Sequence, residues 1–285
     1  KSNYSKSPQI DNAIKLIAFN EWAIDRNFDL IILSTSNTPL KKCIELWCNS
    51  NSIKFEFQDV KKIPKHLSLL RRIYKTFPYY FQAHLWLLVN LIERWPLKSI
   101  GLKNWRNSKG RITFFSYSDN LIYDPLKKNH FDSLYWTKLP KTLKQESLNT
   151  NWLHIYVKDD VLPTTKHAAK MIGAFNEQEN GLQCHVALDT FLSVSVIFQT
   201  ILDSFRLFRI GISLRRKIPT KFQSSLNLSP LFYNDWCKSL FGSTAMNNLL
   251  DLNLFEAALK NLPKQDQGIY LQENMSWEFS LIQTW

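Results

Sequence analysis

The stretch DLIILSTS, residues 29–36, constrains the fold more than any other. Consecutive apolar side chains stop at Ser34-Thr35-Ser36, which suits a short parallel strand covered on both faces and ending in small polar residues. The flanking segments have a different period. Residues 8–27 place Ile10, Ile14, Ile17, Ala18 and Trp22 at helical spacing, and about 39–47 forms a second helix before a second strand, KFEFQDV. Helix and strand alternating at this rhythm predict a parallel sheet with helices on both faces. The rhythm continues through a helical segment over 65–98, then RITFFSYS, NWLHIYV, LQCHVAL and GIYLQ as strands three to six. Helices over 164–177, 189–210 and twice within 229–262 separate the later strands. The economical reading is one doubly wound, mostly parallel α/β domain over 1–285. Right-handed crossovers then align all strand C-termini along one edge, where open α/β sheets bind ligands.

Composition narrows the partners. Hydrophobic residues make up 45% of the chain, which excludes a mainly disordered protein, and 7 Gly against 14% aromatics predict a bulky, helix-rich interior. The most apolar stretch, FPYYFQAHLWLLVNLIERW, is interrupted by Gln82, His84, Asn90, Glu93 and Arg94, so it does not read as a membrane span. A net charge of +12 favours an anionic partner, whether nucleic acid, anionic lipid or a phosphorylated substrate. The 4 Cys, at 43, 48, 184 and 237, show no zinc spacing and read as reduced thiols of a cytoplasmic protein. Neither GxGxxG nor GxxxxGK[ST] occurs, which disfavours an autonomous dinucleotide or P-loop site; the missing GxSxG disfavours an α/β-hydrolase.

The strand ends carry the candidate chemistry. Strand three ends in Ser116-Tyr117-Ser118-Asp119-Asn120, strand four in Lys158-Asp159-Asp160 and strand six in Gln272-Glu273-Asn274. Hydroxyls, amides and carboxylates converging on one edge suit a polyhydroxylated ligand. The same residue types also cap helices and form turns, a role that fits Asn37, Asn274 and the Asp159-Asp160 pair. Glu273 differs, since Glu is a poor turn former. A carboxylate at a helix N-terminus is favoured by the dipole, and at a cleft edge it can take a proton from an attacking hydroxyl or serve as a cap. Asp119 is the second carboxylate of interest. His154 and His185 lie mid-strand and read as core or supporting residues. Between 205 and 222, Arg206, Arg209, Arg215, Arg216 and Lys217 interleave with Phe205, Leu207, Phe208, Ile210 and Leu214, a pattern of an interfacial, anion-binding element or of an ordinary solvated basic face.

Several blocks together resemble a bacterial family of surface carbohydrate biosynthesis proteins that serve O-antigen and related polysaccharide assembly. They are FFSYSDNL, FDSLYWTKLPKTL followed by NWLH, and YLQENMSWEFSLIQTW, spanning roughly 111–285, with a weaker likeness in AFNEWAIDR. The plan is similar to GT-B type glycosyltransferases, whose active site lies in the cleft between two Rossmann-like domains. The resemblance implies that this chain is the N-terminal, acceptor-side part of a longer protein, with 274–285 opening a junction helix. It implies transfer of a sugar from a nucleotide-activated donor to a lipid-linked glycan acceptor, in the cytoplasm and peripheral on the anionic surface of the inner membrane. The donor nucleotide would bind in a further region. Glu273 would be the base or an acceptor-orienting carboxylate. Asp119, Ser116, Asn120 and Asn274 would lie around the same cleft, and Trp136, Trp152 and Trp277 would stack on sugar rings. SYSDNLIYD contains no DxD, so no protein-bound metal or other cofactor is expected on this chain. The alternative is a non-catalytic, membrane-peripheral module holding an anionic glycan or lipid for partner enzymes. Nucleic acid is a weaker third, because no nucleic-acid motif accompanies the basic residues.

Overall fold

The structure is a computed structural model and describes residues 7–60, 69–118, 121, 131–178, 182–215 and 226–285. All six predicted strands form: β1 (Leu30–Thr35), β2 (Lys54–Asp59), β3 (Ile112–Tyr117), β4 (Thr150–Ile155), β5 (Gln183–Ala187) and β6 (Gln267–Tyr270). Every strand pairing is parallel. The helices are α1 (Ile10–Ala23), α2 (Thr38–Ser50), α3 (Leu69–Thr76), α4 (Tyr79–Arg94), α5 (Leu102–Arg106), α6 (Leu139–Gln145), α7 (Thr165–Gln178), α8 (Val194–Arg215), α9 (Ser229–Phe241), α10 (Ser243–Lys260) and α11 (Ser276–Thr284). The helical segment expected over 65–98 is broken after Thr76, where Pro78 cannot continue a helix from the preceding residues.

The strands do not share one sheet. β1 and β2 make a pair, and the other four run in the order β5-β4-β3-β6. The chain correspondingly falls into two compact units, Lys1–Gln82 with Leu207–Thr244, and Ala83–Arg206 with Ala245–Trp285. This corrects the single six-stranded sheet expected from the sequence. Strand period and length do not encode which strands become neighbours.

In the first unit, Ala13, Leu16, Cys43, Ile44, Trp47 and Leu231 form the core beside Ile31 and Leu33 of β1. Asn37 caps α2, its side-chain oxygen accepting from Leu40 N at 3.1 Å, and Trp47 Nε1 donates to Asn20 Oδ1 at 2.8 Å. Leu30 and Ile32 are 38% and 53% exposed, so β1 is covered on one face and not on both as expected.

In the second unit, β3, β4 and β5 are covered on both faces. Phe115, Leu153 and Val186 join Leu250, Leu254 and Phe255 of α10 in one layer. Phe114 and Trp152 pack with Phe131 and Phe175 in the other. Trp105 is fully buried, and its Nε1 satisfies Ala258 O at 2.8 Å. Gly101 adopts φ +74 where a Cβ would lie 2.5 Å from His185 O, so glycine is required there. The four cysteines are free and buried. Burial raises the Cys43 thiol to about 11 and the Cys184 thiol to about 12, so neither is poised as a nucleophile.

Candidate functional site

The strand order of the second unit marks one place on its C-terminal edge. From β3 the chain steps outward to β4 and β5, and then β6 joins the opposite side of β3. The direction of winding therefore reverses between β3 and β6, and the crevice outside their C-terminal ends is the position where open α/β sheets take ligands. A crevice does open there, lined by Ser116, Tyr117, Tyr135, Trp136, Glu273 and Trp277 together with Phe115 and Leu271. Its free volume is about 10 Å³, room for roughly one water. It admits a single hydroxyl and not a whole ring.

Glu273 is half-buried at the rim. Its carboxylate makes no hydrogen bond or ion pair among the described residues. The capping role considered for it belongs to Glu278, a buried residue of the first turn of α11. Glu278 Oε1 accepts from Glu273 N at 2.9 Å and from Met275 N at 2.8 Å, satisfying the backbone that enters the helix. Asn274 is exposed with φ 58, so it is the left-handed residue of the turn and neither a helix cap nor part of the crevice.

The aromatic candidates separate. Trp136 lines the crevice, and its indole nitrogen is buried with no hydrogen-bond partner. Trp277 also lines it but is held in place: Nε1 donates to the Tyr117 hydroxyl, and its ring packs against Phe255 and Tyr270. Trp277 is itself buried, 5% exposed. Trp152 is a correction. It is fully buried, stacks on Phe114 at 4.3 Å and donates to Thr150 Oγ1 at 3.1 Å, so it is a core residue and no surface for a sugar. Ser116 is buried and reaches the crevice from the end of β3. Asp119 and Asn120 lie outside the described residues, as do Arg216 and Lys217 and the side chain of Arg215. Arg206 is exposed and paired with Asp203 at 2.8 Å, and Arg209 is exposed.

Comparison of the chain with family models, curated proteins and solved structures finds no match.

Two further groups on the sheet were not singled out in the sequence as chemistry. Arg94 ties together the ends of β4 and β5, donating to Tyr156 O at 3.2 Å and Asp189 Oδ2 at 3.0 Å. Burial raises the Asp189 carboxyl, opposed by Arg94. Asp251 of α10 is raised to about 7, first by burial and then by the Asp189 charge. No sequence signal joins residues so far apart, although Asp189 is the second residue after β5. The second group is His154 and His185, stacked with their rings parallel and joined by an Nε2···Nδ1 hydrogen bond of 3.1 Å. Their outer nitrogens, His154 Nδ1 and His185 Nε2, are buried without partners. Desolvation lowers His154 to about 4 and His185 well below the ordinary histidine range, so both are neutral at pH 7. The mid-strand reading of these histidines as core residues agrees with this geometry. No cluster of three or more metal-ligating side chains occurs among the described residues.

Proposed function

We propose that the chain is part of a glycosyltransferase that moves a sugar from a nucleotide-activated donor to a lipid-linked glycan, with the β3–β6 crevice holding the acceptor hydroxyl. The observation that carries this reading is the Glu273 carboxylate at the topological switch point, lining one crevice with Tyr117 and Trp136 and making no hydrogen bond or ion pair among the described residues. The acceptor hydroxyl gives its proton to Glu273 as its oxygen attacks the anomeric carbon. The bond from that carbon to the nucleotide phosphate breaks, and the phosphate leaves with the electron pair. Tyr135, exposed beside Trp136, offers a face for the acceptor ring outside the crevice. The parallel order β5-β4-β3-β6 is compatible with one half of a GT-B-like enzyme, with the donor nucleotide held by a further region. The net charge of +12 supports a peripheral position at an anionic inner-membrane surface, since no helix among the described residues is long and apolar enough to cross a membrane.

The test uses the full-length natural chain with a panel of nucleotide sugars and a lipid-linked glycan extract, read by product mass. Glu273→Gln is expected to lower transfer by about 10²- to 10⁴-fold, the usual worth of a general base, with the melting temperature unchanged. Equal turnover in the variant removes Glu273 from the mechanism. The small size of the crevice favours a second reading, a module that holds a glycan hydroxyl for a partner enzyme. Retained glycan binding with no product from any donor would select it.

A further inference from the structure

α4 is apolar on both sides, a pattern normal for a helix buried all round. Its inner side, with Ala83 and Leu87, lies in the core of the second unit. Its outer side is uncovered: Leu85, Leu88, Val89 and Ile92 are 42%, 56%, 63% and 69% exposed. The positions fall at i, i+3, i+4 and i+7, so they form one continuous face. Trp95, 48% exposed, follows it.

α8 runs alongside. His84 of α4 meets Ser204 Oγ at 3.4 Å, and its ring lies 6.3 Å from that of Phe205. α8 buries Val196, Thr200 and Ser204 and exposes Val194, Phe198 and Phe205 at 77%, 61% and 51%. The two helices thus present seven large apolar side chains and Trp95 makes an eighth, with the exposed Glu93 falling between Ile92 and Trp95 in the chain. Cations lie beside two of its three aromatic members, Trp95 and Phe205. Lys98 Nζ sits 4.3 Å over the Trp95 ring, and Arg206, next to Phe205 in the chain, is 68% exposed while paired with Asp203 at 2.8 Å.

We infer that this outer face of α4 and α8 is a membrane-docking surface that lies in the headgroup region of an anionic bilayer. Apolar faces bordered by Trp, Lys and Arg match the depth profile of that interface, where aromatic rings and cation heads meet phosphate. A second copy of the chain is a poorer occupant, since each copy carries +12 and would bring Arg206 and Lys98 toward like charge. The inference rests on the peripheral part of the proposed function and not on sugar transfer. It also shifts the expected contact from the run of cations over 206–217 to an apolar face bordered by only the first of them.

The test is co-flotation of the full chain with vesicles of phosphatidylcholine alone or with phosphatidylglycerol added. The parent is expected to bind the anionic vesicles. Leu88→Ser/Phe198→Ser, both exposed positions, should lower the partition coefficient at least about tenfold, by the loss of apolar transfer, with an unchanged circular-dichroism melt. Arg206→Glu should weaken binding to anionic vesicles only. Failure of the parent to bind overturns the inference, and so does equal binding by the double variant. A concentration-dependent dimer in lipid-free solution that the double variant abolishes also overturns it, by giving the face to a second copy. Vesicle binding is read without any donor sugar, so intact docking alongside absent transfer would fault only the glycosyltransferase reading.

Discussion

Lowering the pH from 8 to 5 is expected to weaken the second unit through His154 and His185. Both are enclosed by rings: Phe131 lies 5.8 Å from His154 and 4.6 Å from His185, Phe175 lies 5.2 Å from His185, and Trp152 stacks over His185 at 6.3 Å. Their native pKa values lie below the unfolded value of about 6.5, with His154 at about 4. A depressed native pKa gives stability that is complete above the unfolded value and is lost as pH falls toward the native one. At pH 5 the unfolded imidazole has taken up its proton while native His154 has not, which costs about 2 kcal/mol for this residue alone. His185 adds a loss of the same sign. The assay is urea unfolding at pH 8, 7, 6 and 5, followed by tryptophan fluorescence. His154→Leu/His185→Leu removes both titrations while keeping apolar bulk, so its midpoint should fall less on acidification than that of the parent. Parallel midpoint curves for the two proteins would refute the reasoning.

Asp251 should act with the opposite sign. Its carboxyl is raised to about 7 from an ordinary value near 3.8, so the stability it gives is complete below pH 4 and is lost as pH rises to 7. Asp251→Asn is therefore expected to gain on the parent between pH 4 and pH 8, by at most about 4 kcal/mol and by less where its partial exposure lets solvent screen it. A pH-independent difference in urea midpoint would rule this out. Gly101→Ala places a Cβ against His185 O in a left-handed backbone. It should cost at least about 2 kcal/mol by chemical denaturation, and a neutral result would mean the backbone shifts freely there.

The existence, position and parallel direction of the strands were legible because short apolar runs ending in polar clusters alternate with segments of helical period. The site was legible in part for the same reason. Glu273 and Ser116 stand beside one another because strand ends gather along one edge, and Trp136 joins them from the connection between β3 and α6. Trp152, placed at the cleft by the resemblance, lies in the core beside Asn151. Asn151 is itself fully buried, its side-chain amide donating to Gly110 O and Gln265 Oε1. The capping carboxylate was assigned five residues early, since the turn at Asn274 precedes the helix and Glu278 reaches back over it. Arg94 with Asp189, and the exposed faces of α4 and α8, depend on contacts between distant segments. Local period cannot report those.

The first unit has a consequence for how the chain acquires its shape. Its core joins Ala13 and Trp47 to Leu226 and Leu231, with the whole of 83–206 intervening. As the polypeptide leaves the ribosome, the apolar side of α1 and α2 has no lasting cover until α9 has been made. β1 and β2 wait as a pair with no further strand among the described residues on either outer edge. A chain halted after Gln82 would therefore be sticky and unfolded, and the half-life of that nascent state, more than the strength of the finished core, would set the yield of native protein.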